Sequence, residues 1–237
     1  MALLSSVFWI VGFTLSVVIA PQLRIWTWGP TMLCLTASTL CALPSIWNER
    51  RSSGDLLLVI TGAAAVFWIA VRAFFSPVSE LAQSDILLLA MAVATFISFR
   101  AISRDTISQR VLIFGITLLS LASLWVFVQQ IMHPGFAPVF PSNQNKLPTG
   151  FFAHYSYGAS FLIAVSLILA SMALHSGERA VIRILFGLVS CACLTAIYYT
   201  RSRGGIIGAA GGIGILFIYS IIVGKRDGKK WFAPAII

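Results

Sequence analysis

Acidic residues are scarce, 7 in a chain of 237, and only 10% of the residues are charged. Soluble domains carry roughly 25% charge, so this composition argues against a fold that faces water over its whole surface. The four cysteines, Cys34, Cys41, Cys191 and Cys193, all lie inside apolar runs without a histidine or carboxylate close by in sequence. They read as small packing residues, not as a disulfide framework or a metal site. The opening stretch MALLSSVFWIVGF lacks the basic segment of a signal peptide, and Ala20 is followed by Pro21, a poor cleavage context. It reads as a retained first helix. The net charge is +9 and the pI about 10.0, but no basic patch interleaved with aromatics is present, which speaks against nucleic acid as a partner. No ionisable residue stands near the middle of an apolar run, and no internal repeat is visible.

What the chain has instead is apolar length. Hydrophobic residues make up 59% and the mean hydropathy is +0.94. A bilayer core of about 30 Å needs roughly 20 apolar residues per helix. Apolar runs fall at about residues 3–20, 25–47, 56–75, 86–99, 111–132, 157–175, 184–200 and 206–223. The run at 86–99 is short and borrows flanking residues between Gln83 and Asp85 or at Arg100. The expected fold is an all-α polytopic membrane protein of about eight transmembrane helices, with a ninth starting at Trp231 in WFAPAII. Residues 1–237 read as one transmembrane helical domain.

Positive charge sorts the loops. NERRSSGD, RAISRDTISQR, SGERAVIR and GKRDGKK hold 11 of the 16 Lys and Arg residues, namely Arg50, Arg51, Arg100, Arg104, Arg110, Arg179, Arg183, Lys225, Arg226, Lys229 and Lys230. Cytoplasmic loops collect such residues, so these four are assigned inside and the N-terminus with them. Arg24, Arg72, Lys146, Arg201 and Arg203 are left on the outer side. A cation at the centre of a span costs about 2.5–3.5 kcal/mol, so these five belong at the outer interface or beside a wet cavity. The longest outer loop, HPGFAPVFPSNQNKLPTGFFAHYSYG, is rich in proline, which cannot continue a helix, and in aromatics suited to the headgroup level.

The stretch YYTRSRGGIIGAAGG concentrates features that favour an anion. A helix starting near Gly204 and running inward places its free N–H groups and positive dipole end at the outer face. Ser202 is the expected N-cap, and Gly204 and Gly205 leave the backbone open to a close ligand. Arg201 and Arg203 supply paired donors matched to phosphate oxygens. The alternative is that both arginines snorkel from a helix end and anchor it. Gly208, Gly211, Gly212 and Gly214 are expected to serve close helix packing.

YYTRSRGGIIGAAGG resembles the Ser-Arg-Gly motif of the O-antigen ligase and O-antigen polymerase superfamily, and LPTGFFAHYSYGASFL resembles the Gly-x-Phe-x-His/Asn-x-Asn motif that precedes it there by about 50 residues. The likeness covers mainly residues 141–224. It implies a helical bundle of the membrane GT-C type and an inverting glycosyltransferase that needs no metal or other cofactor. Such an enzyme moves a glycan from an undecaprenyl diphosphate carrier to a glycan or lipid acceptor at the outer face of the bacterial inner membrane. Arg203 then matches the motif arginine that stabilises the diphosphate leaving group, flanked by Ser202 and Gly204, with Arg201 as an added basic residue. Gly150, His154 and Tyr155 fall in the second motif as substrate-contacting positions. Leu147 stands where the family often has an arginine, with Lys146 beside it as a substitute charge, and Ser156 stands where asparagine is usual. The family's large outer loop, with its catalytic histidine, would follow the ninth helix, and the chain stops at Ile237 ahead of it.

Of the remaining outer groups, His133 and His154 are suited to acid or base work near neutral pH, whereas His175 sits at a cytoplasmic helix end and reads as structural. The outer carboxylates are Glu80 and Asp85, and Glu80 is placed either to pair with Arg72 or to help shape an acceptor site. Two other readings share these residues: a transporter or flippase of a phosphorylated lipid, and an inactive fragment of a split ligase gene. The lack of midmembrane charge disfavours the transporter.

Overall fold

The computed structural model describes residues 1–19, 25–47, 53–75, 79–138, 147–152, 154–174 and 179–226. Their regular structure consists of eight helices: α1 Ala2–Val18, α2 Ile25–Trp47, α3 Ser53–Phe74, α4 Ser79–Ile102, α5 Thr106–Met132, α6 Tyr155–Leu174, α7 Ala180–Tyr199 and α8 Arg203–Arg226. Every apolar run read from the sequence is the body of one helix. The short run at 86–99 is extended at both ends, so that α4 takes in Asp85 and Arg100. The segment beginning at Trp231 lies outside the described residues.

All regular structure among the described residues is helical, and α5, α6 and α7 are long and apolar enough to cross a bilayer, which marks a membrane protein. The surface of α5 shows why lipid is the solvent. Phe114, Leu118, Leu121, Trp125, Val128 and Met132 recur three and four residues apart, and all are exposed, Phe114 at 69% and Trp125 at 56%. Its buried face carries Thr117, Ser120, Ser123 and Gln130 among apolar residues. Apolar groups outside and small polar groups inside invert the pattern of a soluble helix. In water that stripe would forfeit about 25 cal/mol per Å² of apolar surface; among lipid tails the cost disappears.

The chain divides into two compact units, Met1–Gly115 and Ile116–Ile237, with the boundary inside α5. In the first, α1 packs on α2 and α4, and α3 packs on α4. Gly12 permits the approach of α2, since a Cβ there would lie 3.0 Å from Cys34 Cβ. Buried hydroxyls tie three helices together: Ser38 Oγ lies 3.0 Å from Ser5 Oγ and 2.8 Å from Ser98 Oγ. Interhelical hydroxyl bonds of this kind replace the hydrophobic effect that lipid removes. The loop leading into α5 is closed by Asp105, whose carboxylate accepts the Ser108 N–H at 3.0 Å and the Ser108 hydroxyl. These bonds hold the Asp105 carboxyl below its ordinary range, the Ser108 hydroxyl contributing most.

In the second unit α6 packs along α7 and α8. The Ser190 hydroxyl of α7 donates to the Ser166 carbonyl of α6 at 2.8 Å, and Arg183 Nε donates to the Ala173 carbonyl at 2.9 Å. On α8, Gly205, Gly208 and Gly212 face Ala159, Ile163 and Leu167 of α6. A Cβ on Gly205 would come within 2.9 Å of Ala159 Cβ, and one on Gly208 within 3.3 Å of Ile163 Cδ1. The packing role expected of the later glycines therefore holds for Gly208 and Gly212. Gly211 and Gly214 face open space, where a Cβ added to either would meet no atom within 4 Å. Gly205, expected to admit a ligand, is instead a packing glycine, because its missing side chain is what lets α6 approach.

Candidate functional site

Three residues, Thr200 to Ser202, connect α7 to α8, and each is fixed differently. Ser202 is the N-cap of α8: its Oγ accepts the Gly205 N–H at 3.1 Å, and its carbonyl accepts the Ile206 N–H at 3.0 Å. Thr200 is fully buried; its hydroxyl donates to the Ile197 carbonyl at 2.7 Å and accepts the Ser202 N–H at 3.2 Å. Arg201, between them, has φ +54 and donates its N–H to the Tyr198 carbonyl at 3.1 Å. Helices commonly end on a left-handed residue, usually glycine, and a side chain in that region costs roughly 1–2 kcal/mol. Among the described residues Arg201 is the only one other than glycine with positive φ.

The loop ahead of α6 is held as firmly. Gln130, buried at the end of α5, accepts the N–H groups of Thr149 and Gly150 on Oε1 at 2.8 and 2.9 Å, and donates Nε2 to the Gly150 carbonyl at 2.9 Å. Gly150 has φ +68, and a Cβ on it would lie 2.6 Å from Phe127 Cε2. Gly158 sits under the same turn, its hypothetical Cβ 2.5 Å from the Thr149 carbonyl oxygen. Glycine at both places is required, by the left-handed turn and the Phe127 ring at Gly150 and by the Thr149 carbonyl at Gly158.

These two fixed segments border one pocket of about 550 Å³. Gln130, Ile131 and Pro134 line it from the end of α5, Leu147 and Pro148 from the loop, Tyr198 and Tyr199 from α7, and Arg201 and Ile206 from the connection and the start of α8. Among the described residues Arg201 is the one charged residue in that lining. Its guanidinium makes no hydrogen bond or ion pair among the described residues.

The other expected site residues fall around the pocket, not in it. Arg203 and Gly204 are exposed in the first turn of α8, and a Cβ on Gly204 would meet nothing within 4 Å. Ser202 and Gly150 are buried, serving the cap and the turn. His154 is exposed and closes the start of α6: its carbonyl accepts the Tyr157 N–H at 3.1 Å and its Nδ1 accepts the Ser156 N–H at 3.3 Å. In the neutral imidazole that bond leaves the proton on Nε2. The His154 ring lies 4.2 Å from the ring of Tyr155, which is half-buried, and 5.9 Å from that of Tyr157. His133 is exposed just beyond α5, and Arg72 is exposed in the last turn of α3. Lys146, His175, Arg24 and the side chains of Glu80 and Asp85 lie outside the described residues. All four cysteines are free, with Cys193 buried and Cys191 exposed. Among the described residues no three His, Cys, Asp or Glu side chains come together in a way that could hold a metal.

Two residues with structural command of the pocket, Gln130 and Thr200, are not singled out by the sequence. The signal that could have found Gln130 is an amide pair, Gln129 and Gln130, in the last turn of an otherwise apolar run, beside a loop whose backbone needs partners. Thr200 carries none beyond adjacency to Arg201. Comparison with known proteins returned no match among family models, curated proteins or solved structures.

Proposed function

We propose that this protein is a membrane glycosyltransferase that moves a glycan from an undecaprenyl diphosphate carrier to an acceptor at the outer face of the bacterial plasma membrane, as O-antigen ligases and polymerases do. The observation that carries the reading is that the two motif-like stretches, some 50 residues apart in sequence, border one pocket: Leu147 and Pro148 from one, Tyr198, Tyr199 and Arg201 from the other. In this reading all eight helices span the bilayer with the N-terminus inside. The ends of α5 and α7 and the starts of α6 and α8 then lie at the outer leaflet, with the positive end of the α8 dipole facing the carrier phosphates.

The chemistry asked of the site is departure of a diphosphate. The acceptor hydroxyl oxygen bonds to the anomeric carbon as the bond from that carbon to the diphosphate oxygen breaks. The electron pair goes to the diphosphate, which also carries off the hydroxyl proton. Arg203 and Arg201 stabilise the charge as it grows, the clamp arrangement that commonly supplies the largest part of a barrier reduction. Open space over Gly204 lets the phosphate oxygens approach the backbone. Lys146, His154 and Tyr155 are assigned to the sugar and acceptor side.

The test is glycan transfer in proteoliposomes containing the protein and a lipid-linked glycan donor. Transfer by the wild type, lost in R203A with membrane insertion intact, is the expected result. Undiminished transfer by R203A removes that residue from the chemistry, and no transfer by the wild type removes the enzymatic reading.

A further inference from the structure

The sequence ranks Arg203 above Arg201, because Arg203 matches a motif. The backbone ranks them the other way. Arg201 occupies the left-handed position after a helix C-cap, φ +54, where glycine is the relaxed choice. Fully buried Thr200 braces the turn from below, and the Ser202 cap fixes its far side. The Arg201 side chain therefore leaves a rigid connection in a set direction. Non-glycine residues held in such a conformation concentrate at ligand sites.

The pocket itself selects the ligand. Among the described residues Arg201 is its single charged lining residue, while Ile131, Leu147, Pro148 and Ile206 give it apolar walls. A neutral lipid would leave the guanidinium without a counter-charge, and a free sugar phosphate would leave the apolar walls wet. An amphiphile satisfies both: its phosphate meets Arg201 and its first chain carbons lie along the apolar walls. A space of about 550 Å³ is of the size that holds a small ligand or a lipid head with its first few carbons.

We infer that Arg201, not Arg203, is the main ground-state grip on a lipid-borne phosphate, and that the pocket it lines takes the phosphate end of that lipid. The inference rests on reading this pocket as the donor site of the proposed transferase. Arg203, exposed like Arg201 but outside the pocket lining, is left to act on charge that develops later in the reaction.

The experiment is equilibrium binding to the full chain in detergent micelles, using farnesyl diphosphate, dihexanoyl phosphatidic acid and inorganic diphosphate as probes. Both amphiphiles are expected to bind more tightly than inorganic diphosphate. A preference for farnesyl diphosphate supports the proposal with a prenyl carrier as the source, and a preference for dihexanoyl phosphatidic acid supports it with a phospholipid headgroup. R201G should lose at least about tenfold in affinity for the preferred amphiphile, the loss expected for a charge-assisted contact. Glycine suits the backbone at this position, so the variant should keep a melting temperature no lower than the wild type. R201K, which keeps the charge without the planar fork, should fall between them, and R203A should lose less than R201G. Wild-type affinity in R201G, a larger loss in R203A, or equal binding of all three probes overturns the inference. Binding that follows the expected pattern without glycan transfer sinks the enzymatic reading alone. Transfer that depends on Arg203, with R201G binding as the wild type does, sinks the inference alone.

Discussion

Gln130 grips the peptide of Gly150 from both sides: its Oε1 accepts the Gly150 N–H and its Nε2 donates to the Gly150 carbonyl, each at 2.9 Å. A third bond, from the Thr149 N–H at 2.8 Å, uses the second lone pair of Oε1. One buried amide thus satisfies three backbone groups of the loop that walls the pocket.

Replacing Gln130 with leucine keeps the side-chain volume but strands two N–H groups and one carbonyl. Each buried polar group left without a partner costs about 1–3 kcal/mol, so Q130L should lose roughly 3 kcal/mol or more of stability. Chemical unfolding in mixed micelles measures it. A loss below about 1 kcal/mol would mean that the loop finds other partners.

The glycines of α8 should divide by face. G205A meets the Cβ of Ala159, which cannot move aside without its backbone, and overpacking of this kind costs about 1–3 kcal/mol. G212A meets the tip of the Leu167 side chain, which can turn away, so its cost should be smaller. G204A and G211A point into open space and should stay within about 0.5 kcal/mol of the wild type or gain slightly in helix propensity. Thermal unfolding of the four variants checks the order, and equal effects on both faces would contradict the packing.

Asp105 predicts an acid-side pH dependence. Its carboxyl is lowered from the ordinary 3.8 by the Ser108 hydroxyl and N–H. A carboxyl lowered in the folded state contributes stability that is present above its unfolded value and lost as the pH falls through the folded one. D105N caps the helix without titrating. The stability difference between wild type and D105N should therefore be constant above about pH 5 and shrink as the pH drops below 3.8. A difference that does not change with pH would remove the carboxylate from this role.

The orientation is open to direct labelling. In a background with all four cysteines replaced by alanine, H133C should react with an impermeant thiol reagent added to intact cells. R104C should react only after permeabilisation. Both native positions are exposed, so access is decided by the side of the membrane. The reverse pattern would move the pocket to the cytoplasmic leaflet and away from an outer acceptor.

The helices were legible because apolar runs bounded by Pro, Gly and charge leave few alternatives at this length. Even the short run at 86–99 needed only its polar flanks to become α4. The Ser202 cap was legible too, since a hydroxyl before glycines has few other uses at a helix start. What the sequence hid was direction. Gly204 and Gly205 are identical in sequence terms, but one helical step of about 100° points the first outward and the second into α6. Arg201 and Arg203 differ in the same way: one turns on a left-handed residue into a pocket, the other rides on the first turn of a helix. The latch by Gln130 depends on a contact across 20 residues, which no local pattern encodes.

The central claim, that the Arg201 pocket holds the phosphate end of a lipid diphosphate carrier together with its first chain carbons, is tested most directly by photocrosslinking. A polyprenyl diphosphate bearing a diazirine on its first isoprene unit is irradiated with the protein in vesicles, and the adducts are mapped by mass spectrometry. Adducts on Ile131, Leu147, Tyr198 or Tyr199, competed away by unlabelled carrier and lost in R201G, are the predicted result. Adducts spread over the exposed stripe of α5, unaffected by competitor or by R201G, would contradict it.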